Sequence, residues 1–306
     1  MVIKTVETVI NGSKYNLTYN SGTGKWEATI PAPVGSSFNQ EDGKYNVLIT
    51  ATNEAGTSAS IDRTDETYGS VLALKVIEKQ APVITIISPG VGAHIASATP
   101  TIKFSIKDNT IGDGGDSGID ISSLVLKVDD TAVSAESIIK NAVDGGFDCE
   151  YTPNVLTDGS HTVTIDVNDN DGNAATTSGV SFTVDTVPPV LNVDTPNDNI
   201  ITNIEKITVS GTTNDATSTI ARVSISLNGN DQGEVYVDAN GNFTKEITLA
   251  EGANEIIVTS TDNAGKSSTV NRTVTLDISI PIFVAVTLTP NPADAGATLT
   301  LTVEVE

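Results

Sequence analysis

The sequence predicts an all-β protein made of tandem two-layer domains. Apolar residues alternate with polar ones along most of the chain, which is the period of a strand with one buried face, and helical periodicity is almost absent. One short turn motif of the form Asn/Asp-x-x-Gly occurs three times, and each copy is followed by a strand and a proline. Repetition at the scale of a domain indicates a tandem array. The turns are 53–56, 169–172 and 262–265, and the prolines are Pro82, Pro189 and Pro281.

The first predicted domain, residues 1–79, contains a hairpin and a long polar excursion. Tyr15 and Tyr19 alternate with polar residues before the glycine-rich stretch 20–24, and Trp26 lies in phase with Ala28 after it. In-phase aromatic residues on a strand favour a buried position, so Trp26, Tyr15, Tyr19 and Tyr45 are expected in the core of a first sandwich. Tyr68 is the best candidate for an exposed aromatic binding residue.

Two further domains are predicted at residues 80–186 and 187–279. Each closes with a regular hairpin, in which Val163, Ile165 and Val167 precede the second turn and Ile256 and Val258 precede the third. The remaining residues, 280–306, contain only two alternating runs, and two strands cannot bury a core by themselves. This segment is therefore either a partial repeat or a pair of strands offered to another subunit by edge addition.

The composition limits the partners. The 306 residues carry a formal net charge of −23, with the acid spread along the chain. A uniformly negative surface repels nucleic acid and anionic membranes, so neither is an expected partner. No apolar run reaches the ~18 residues of a membrane span, and the first residues lack the features of a signal peptide.

The repeats resemble those of a known family. An opening Pro188-Pro189-Val190 that leads to Thr195-Pro196, and a closing Thr261-Asp262-Asn263-Ala264-Gly265-Lys266, are similar to bacterial immunoglobulin-like repeats. The resemblance implies tandem immunoglobulin-like or fibronectin-III-like β-sandwiches that form an elongated rod. Such repeats occur in surface adhesins, in the non-catalytic stalks of secreted glycosidases and in bacteriophage tail proteins. The strings 11–15, 23–30 and 286–292 also resemble immunoglobulin-like proteins of Firmicutes prophage tail regions.

The richest acidic cluster suggests a calcium site. Asp108, Asp113 and Asp116 lie between two predicted strands of the second domain, and Asp169 and Asp171 lie in its closing turn. In an immunoglobulin-like sandwich these two loops share one end of the domain, which faces the preceding domain. Calcium binds six to eight oxygens, which flexible Asp-rich loops can supply. The alternative is a pair of exposed turns in which Asp and Asn serve the backbone.

The other reactive residue types give no catalytic pattern. Cys149 lies in phase with Phe147 and Tyr151, which favours a buried core position. His94 and His161 lack a cysteine or a second histidine at metal-ligand spacing, which favours surface or turn positions. No nucleophile elbow of the Gly-x-Ser-x-Gly type occurs. We therefore expect no enzymatic activity.

These observations predict a structural or adhesive protein of a phage tail or bacterial surface. Its loops would bind a host protein, a glycan or other tail subunits, and its location would be the virion or the outside of the cell. The alternative is the non-catalytic, carbohydrate-binding or spacer region of a secreted carbohydrate-active enzyme. An aromatic row on one face would favour the alternative.

Overall fold

The computed structural model of the chain describes residues 2–108 and 116–306. It forms two compact units, residues 1–185 and residues 186–306. Strands dominate both units, as the alternation in the sequence predicts. No helix in the described ranges combines the length and the apolar character that a membrane span needs.

The first module, residues 1–79, forms one six-stranded antiparallel sheet of order β3-β2-β1-β4-β5, with β6 paired to β4. A 3₁₀ turn at Glu41–Gly43 and the one-turn helix α1 at Gly69–Leu72 lie in its connections. The strands are β1 (Ile3–Ile10), β2 (Ser13–Asn20), β3 (Lys25–Glu27), β4 (Tyr45–Asn53), β5 (Ser58–Ile61) and β6 (Ala73–Leu74).

The expected second sheet of the first module is not formed. The stretch that would have to supply it, residues 28–44, contains Pro31 and Pro33, which have no amide hydrogen to donate to a sheet. This stretch forms a loop with one 3₁₀ turn instead, and Ser36 and Ser37 within it are buried. Ser37 Oγ donates to the carbonyl of Gly43 at 2.7 Å, which ties the loop together.

The thin first module buries only part of its aromatic set. Tyr45, on the central strand β4, is buried as expected. Trp26 is only half-buried and Tyr19 is 52% exposed, so the prediction of a core position is wrong for Tyr19. Both lie at the β2–β3 edge, where the two rings pack at a centroid distance of 5.6 Å. An edge strand with no facing sheet leaves such rings partly in solvent.

The second module, residues 80–186, is a two-sheet sandwich. One sheet has the order β12-β13-β9-β7, and the other has the order β11-β10-β14-β15-β8. A 3₁₀ turn lies at Ala135–Ser137. The strands are β7 (Val83–Ser88), β8 (His94–Ile95), β9 (Ile102–Lys107), β10 (Ile119–Val128), β11 (Thr131–Ala132), β12 (Ile139–Val143), β13 (Gly146–Tyr151), β14 (Gly159–Asp169) and β15 (Ser178–Val184).

The core of the second module lies between these two sheets. Phe104 on β9 and Phe182 on β15 are among its largest fully buried side chains. Cys149 is 1% exposed within it, which confirms the predicted core position, and burial raises the pKa of its thiol to about 11. His161 is also buried, at 6% exposure, so a surface or turn position was the wrong prediction for it. His94 is exposed.

The third module, residues 187–279, repeats this topology with fewer strands. Its sheets have the orders β16-β18-β21 and β17-β23-β22-β19-β20, and β17 is parallel to β23 as β8 is to β15. Phe243 and Val258 are among its buried residues. The strands are β16 (Val190–Thr195), β17 (Ile200–Thr202), β18 (Lys206–Asn214), β19 (Ile220–Leu227), β20 (Asn230–Asp231), β21 (Asn242–Thr248), β22 (Gly252–Asp262) and β23 (Ser267–Leu276).

The C-terminal segment, residues 280–306, forms a single antiparallel hairpin of β24 (Phe283–Thr289) and β25 (Thr300–Val305). The register places Val286 opposite Val303 and Leu288 opposite Leu301, so one face of the hairpin is apolar. All four of these side chains are exposed. The hairpin thus buries no core of its own, as expected for two strands.

Candidate functional site: an acidic junction in residues 1–185

The recurring turn has one geometry in all three copies. In the second module the amide of Asn173 donates to Asp169 Oδ1 at 2.8 Å, and Gly172 has a φ of +92°. This left-handed conformation is inexpensive only for glycine, which explains the spacing of the motif. The corresponding bonds run from Thr57 to Asn53 at 3.0 Å and from Lys266 to Asp262 at 2.9 Å. The first and last residues of the motif therefore serve the backbone.

The second residue of the turn in the second module ties two loops together. Asn170 Nδ2 donates to the carbonyls of Ser117 and Gly118 at 2.9 and 3.1 Å. The amide of Gly118 in turn donates to Asp108 Oδ2 at 2.8 Å. Asp108 follows β9, whereas Ser117 and Gly118 precede β10. The closing turn and the β9–β10 connection therefore meet at the same end of the sandwich.

Glu78, near the end of the first module, is bonded into this end through both its backbone and its side chain. Its amide donates to Asp171 Oδ2 at 3.0 Å, and its carbonyl accepts from Asn173 Nδ2 at 3.2 Å. Its Oε1 accepts from both the amide and the hydroxyl of Ser117, each at 3.0 Å. Glu78 is only 4% exposed. The linker is thus fixed to the second module by named hydrogen bonds.

Three buried carboxylates converge at this point, and we call Glu78, Asp108 and Asp169 the acidic junction. One oxygen from each lies within 4.8 Å of the others. Asp108 is 4% exposed and Asp169 is 2% exposed. Glu78 Oε2 and Asp108 Oδ1 are buried and have no hydrogen-bond partner among the described residues. Asp169 Oδ2 accepts from Asn173 Nδ2 at 2.7 Å.

The concentration of negative charge affects the titration of Asp108. Burial raises the pKa of its carboxyl to about 6, and the neighbouring charge of Glu78 contributes in the same direction. The charges of Asp116 and Asp169 also raise this pKa, whereas the bond from the Gly118 amide lowers it. No lysine, arginine or histidine nitrogen within the described ranges forms an ion pair with the acidic junction.

The structure places the five predicted metal ligands in different roles. Asp108 and Asp169 are brought together, and Asp116 is close enough for its charge to act on Asp108. Asp171 uses Oδ2 to accept from the Glu78 amide, so it holds the linker. Asp113 lies outside the described residues. The backbone carbonyl of Asp116 also accepts from Asn39 Nδ2 of the first module at 3.0 Å.

Glu78, which lies 30 residues before Asp108, is missing from the set of ligands that the sequence predicts. The available signal was its position, because an acidic residue just before Pro82 must lie near the loops that face the preceding module.

Tyr68, the predicted exposed aromatic, is 56% exposed and precedes α1, where its amide donates to Asp65 Oδ1 at 2.8 Å. Its role in binding stays a prediction.

Two known families match the chain, and each match falls within one of the modules described above. Residues 95–186 match the family described as "Bacterial Ig-like domain". Residues 189–278 match the family described as "Glucodextranase, domain B". The two matches cover most of the second and third modules, which are the two regions where two-sheet sandwiches are observed.

Individual relatives share only part of their length or little of their sequence. Bacillopeptidase F of Bacillus subtilis (strain 168) is 31% identical over 130 residues, which is 42% of this chain and 8% of that protein. Fibronectin(III)-like modules of Clostridium thermocellum CbhA align with a TM-score of 0.42 and 18% identity, over 64% of this chain and 94% of theirs. Sidekick-1 immunoglobulin domains 1–5 align with a TM-score of 0.36 and 11% identity, over 99% of this chain and 60% of theirs.

The strand orders of the second and third modules agree with the two family matches. Both place a short strand parallel to the last strand of one sheet, and both pack that sheet against a second antiparallel one. Two aligned antiparallel sheets with these connections are the architecture of immunoglobulin-like domains. The chain is therefore a tandem immunoglobulin-like domain protein.

Proposed function

We propose that the chain is a non-catalytic structural or adhesive scaffold of a phage tail or bacterial surface, which presents its loops to a host protein or glycan. The observation that carries this proposal is the set of hydrogen bonds by which Glu78 joins the first module to the second. A linker whose amide, carbonyl and carboxylate all accept or donate hydrogen bonds fixes the first module on the second. A scaffold that presents a binding surface needs such a connection, because a flexible linker spreads the positions of what it carries.

The charge and the loops support the same function. A net charge of −23 favours a well-solvated particle and disfavours binding to nucleic acid. Binding residues are concentrated on loops that a rigid scaffold positions. Tyr68 lies in such a connection of the first module and is largely exposed, so it is the first residue to test.

The test of adhesion uses the purified full chain on beads. Beads that carry the chain are expected to retain host cells or labelled glycans. Tyr68→Ala is expected to reduce the amount retained severalfold. Tyr236→Ala is the matched control, because Tyr236 is 78% exposed in the third module and has no predicted role. Equal retention by uncoated beads and by all three proteins would refute adhesion through these loops.

A second candidate is a spacer within a larger enzyme, and the comparisons favour it specifically. The third module matches domain B of a glucodextranase, and the named relative is a peptidase of which the matched stretch covers 8%. Immunoglobulin-like modules of such proteins would separate a catalytic region from its surroundings. The chain would then contribute distance and orientation to the enzyme.

Detection of the native protein distinguishes the two candidates. An antibody against the purified chain would be used on virions, cell envelopes and culture medium of the producing bacterium. Recovery with virions or envelopes, without enzymatic activity, supports the scaffold. Recovery in a much larger polypeptide that co-purifies with peptidase or glycosidase activity would support the spacer and refute the scaffold.

A further inference from the structure

We propose that the acidic junction binds one divalent cation, calcium, through Glu78, Asp108 and Asp169. The proposal goes beyond the scaffold function, since a scaffold needs no metal. It also assigns a ligand, Glu78, that comes from the first module, whereas Asp108 and Asp169 belong to the second.

The first argument is the state of the carboxylate oxygens. Glu78 Oε2 and Asp108 Oδ1 are both buried, and neither accepts a hydrogen bond from a described residue. Their residues are 96% buried, so solvent does little to offset the charge. A buried carboxylate without a partner is strongly destabilising, and the cost grows when a second and a third carboxylate lie beside it. A bound cation would offset this cost at Glu78 and Asp108, and it would also offset the repulsion among the three carboxylates.

The second argument is that the opposite oxygens are held in place. Ser117 donates twice to Glu78 Oε1, and the Gly118 amide donates to Asp108 Oδ2. Each of these two carboxylates is therefore oriented by neutral donors on one oxygen, while its other oxygen has no hydrogen-bond partner among the described residues. Asp169 is held by Asn173, and its oxygens keep lone pairs for a metal. Supporting hydrogen bonds of this kind are the usual means by which proteins orient metal ligands.

The third argument is the size and charge of the ion. The converging oxygens lie within 4.8 Å of one another. Oxygens on opposite sides of a calcium ion lie about 4.6 to 5.2 Å apart, because each Ca–O distance is about 2.3 to 2.6 Å. Magnesium demands a near-ideal octahedron and gives up its waters reluctantly, so a set of three protein carboxylates suits calcium better. The all-oxygen set also disfavours zinc, which prefers nitrogen and sulfur in structural sites.

Calcium binding would act on the connection between the first two modules. Glu78 supplies the linker oxygen, and the loops at 108 and 169 supply the others. An ion bound to all three stabilises the arrangement in which the linker lies on the second module. Without the ion, the same three charges repel one another and oppose that arrangement.

The experiment uses the full chain after chelator treatment. Isothermal titration calorimetry would measure calcium bound per chain, and thermal unfolding would be followed with calcium, with magnesium and with chelator. The wild type is expected to bind calcium and to unfold at a higher temperature with it, and magnesium is expected to have a smaller effect. Asp108→Asn and Glu78→Gln are each expected to remove one bound calcium per chain.

A crossover in stability separates metal binding from a purely structural role. In chelator, Asp108→Asn is expected to be more stable than the wild type, because it removes one of three repelling charges. In calcium it is expected to be less stable. Asp148→Asn is the matched control, since it removes an exposed charge from the same sandwich and should change neither the stoichiometry nor the crossover.

The opposite results would overturn the proposal. One such result is an unchanged calcium stoichiometry in both Asp108→Asn and Glu78→Gln. Another is a thermal shift that is the same in wild type and variants, or equal with magnesium and calcium. Circular dichroism in chelator verifies that each variant is folded. Glu78→Gln also keeps an oxygen for Ser117, so a failure of Asp108→Asn to fold leaves the test intact.

Discussion

The strands β14 and β22 are corresponding elements of the second and third modules, and the buried polar residue at their third position differs. Each strand has eleven residues, begins with glycine and ends with aspartate, and the two have the same alternation of burial. The third residue is His161 in β14 and Asn254 in β22, and both are buried. The same place in the fold is therefore filled by an ionisable group in one module and by a neutral amide in the other.

The two side chains make the same connections. His161 Nε2 lies 2.7 Å from the carbonyl of Thr157, four residues earlier, and Asn254 Nδ2 donates at 2.7 Å to the carbonyl of Ala250, also four residues earlier. His161 Nδ1 lies 2.7 Å from Asp129 Oδ2. Asn254 Oδ1 accepts from Asn228 Nδ2 at 3.0 Å.

The partners of these side chains also correspond. Asp129 and Asn228 both have left-handed backbone conformations, with φ of +49° and +52°. Each accepts through Oδ1 from the amide that follows the buried residue, at 2.8 Å from Thr162 and at 2.9 Å from Glu255. The two modules therefore share this network of hydrogen bonds and differ in its charge. Only the second module should respond to pH through it.

The largest expected effect comes from removing the central side chain in each module. His161→Ala and Asn254→Ala each leave several buried hydrogen-bonding groups without partners, so each is expected to cost about 3 kcal/mol of local stability. Hydrogen exchange of peptides 159–169 and 252–262 in urea measures the two strands separately. Ser160→Ala and Glu255→Ala are the controls, because both side chains are exposed. A cost below that of the controls at either position would contradict the shared network.

Much of the fold in these regions is predictable from sequence. The alternation of Val163, Ile165 and Val167 identifies a strand with one buried face, and the turn motif identifies its end. Local patterns carry this information, because strand period and turn chemistry depend on a few neighbouring residues. The two-sheet sandwiches of the second and third modules follow from the repetition of these patterns.

What could not be predicted depends on contacts between distant residues. His161 is buried because Asp129, 32 residues earlier, supplies a partner for its ring. Glu78 reaches Ser117 over 39 residues and Asn173 over 95. The single sheet of the first module results from a proline-containing stretch that fails to form strands, which alternation elsewhere does not reveal. In the acidic junction, the sequence indicated Asp108 and Asp169 because both lie in turns, whereas Glu78 required the tertiary fold.

A smaller effect is expected from pH. Burial lowers the pKa of His161, but the hydrogen bonds to Asp129 and to the Thr157 carbonyl outweigh it, and the pKa lies above the ordinary histidine value of 6.5. Both ring nitrogens face acceptors, and only the protonated ring donates to both. The stabilisation is therefore complete below pH 6.5 and is lost as the pH rises through the raised pKa.

The measurement is hydrogen exchange of peptide 159–169 between about pH 6 and about pH 9, with rates corrected for intrinsic exchange. The local free energy should fall by about 1 kcal/mol in the wild type, the size of a net hydrogen bond. This part of the fall should be absent in His161→Asn. Both proteins contain Asp108, whose raised pKa also affects stability, so their difference isolates His161. The same slope in the two proteins would contradict the assignment.

The smallest effect is expected when the amide pair of the third module is placed in the second. Asp129→Asn with His161→Asn reproduces Asn228 and Asn254, so the double variant should lose less stability than the sum of its two single variants. A coupling of about 0.5 kcal/mol is expected, because each single substitution leaves one polar group with an unsuitable partner. The double-mutant cycle is measured below pH 6.5, where His161 carries its proton. If the stability losses of the two single variants simply add in the double variant, the prediction is contradicted. The two networks would then share only their geometry, and the amide pair would depend on neighbours that β14 lacks.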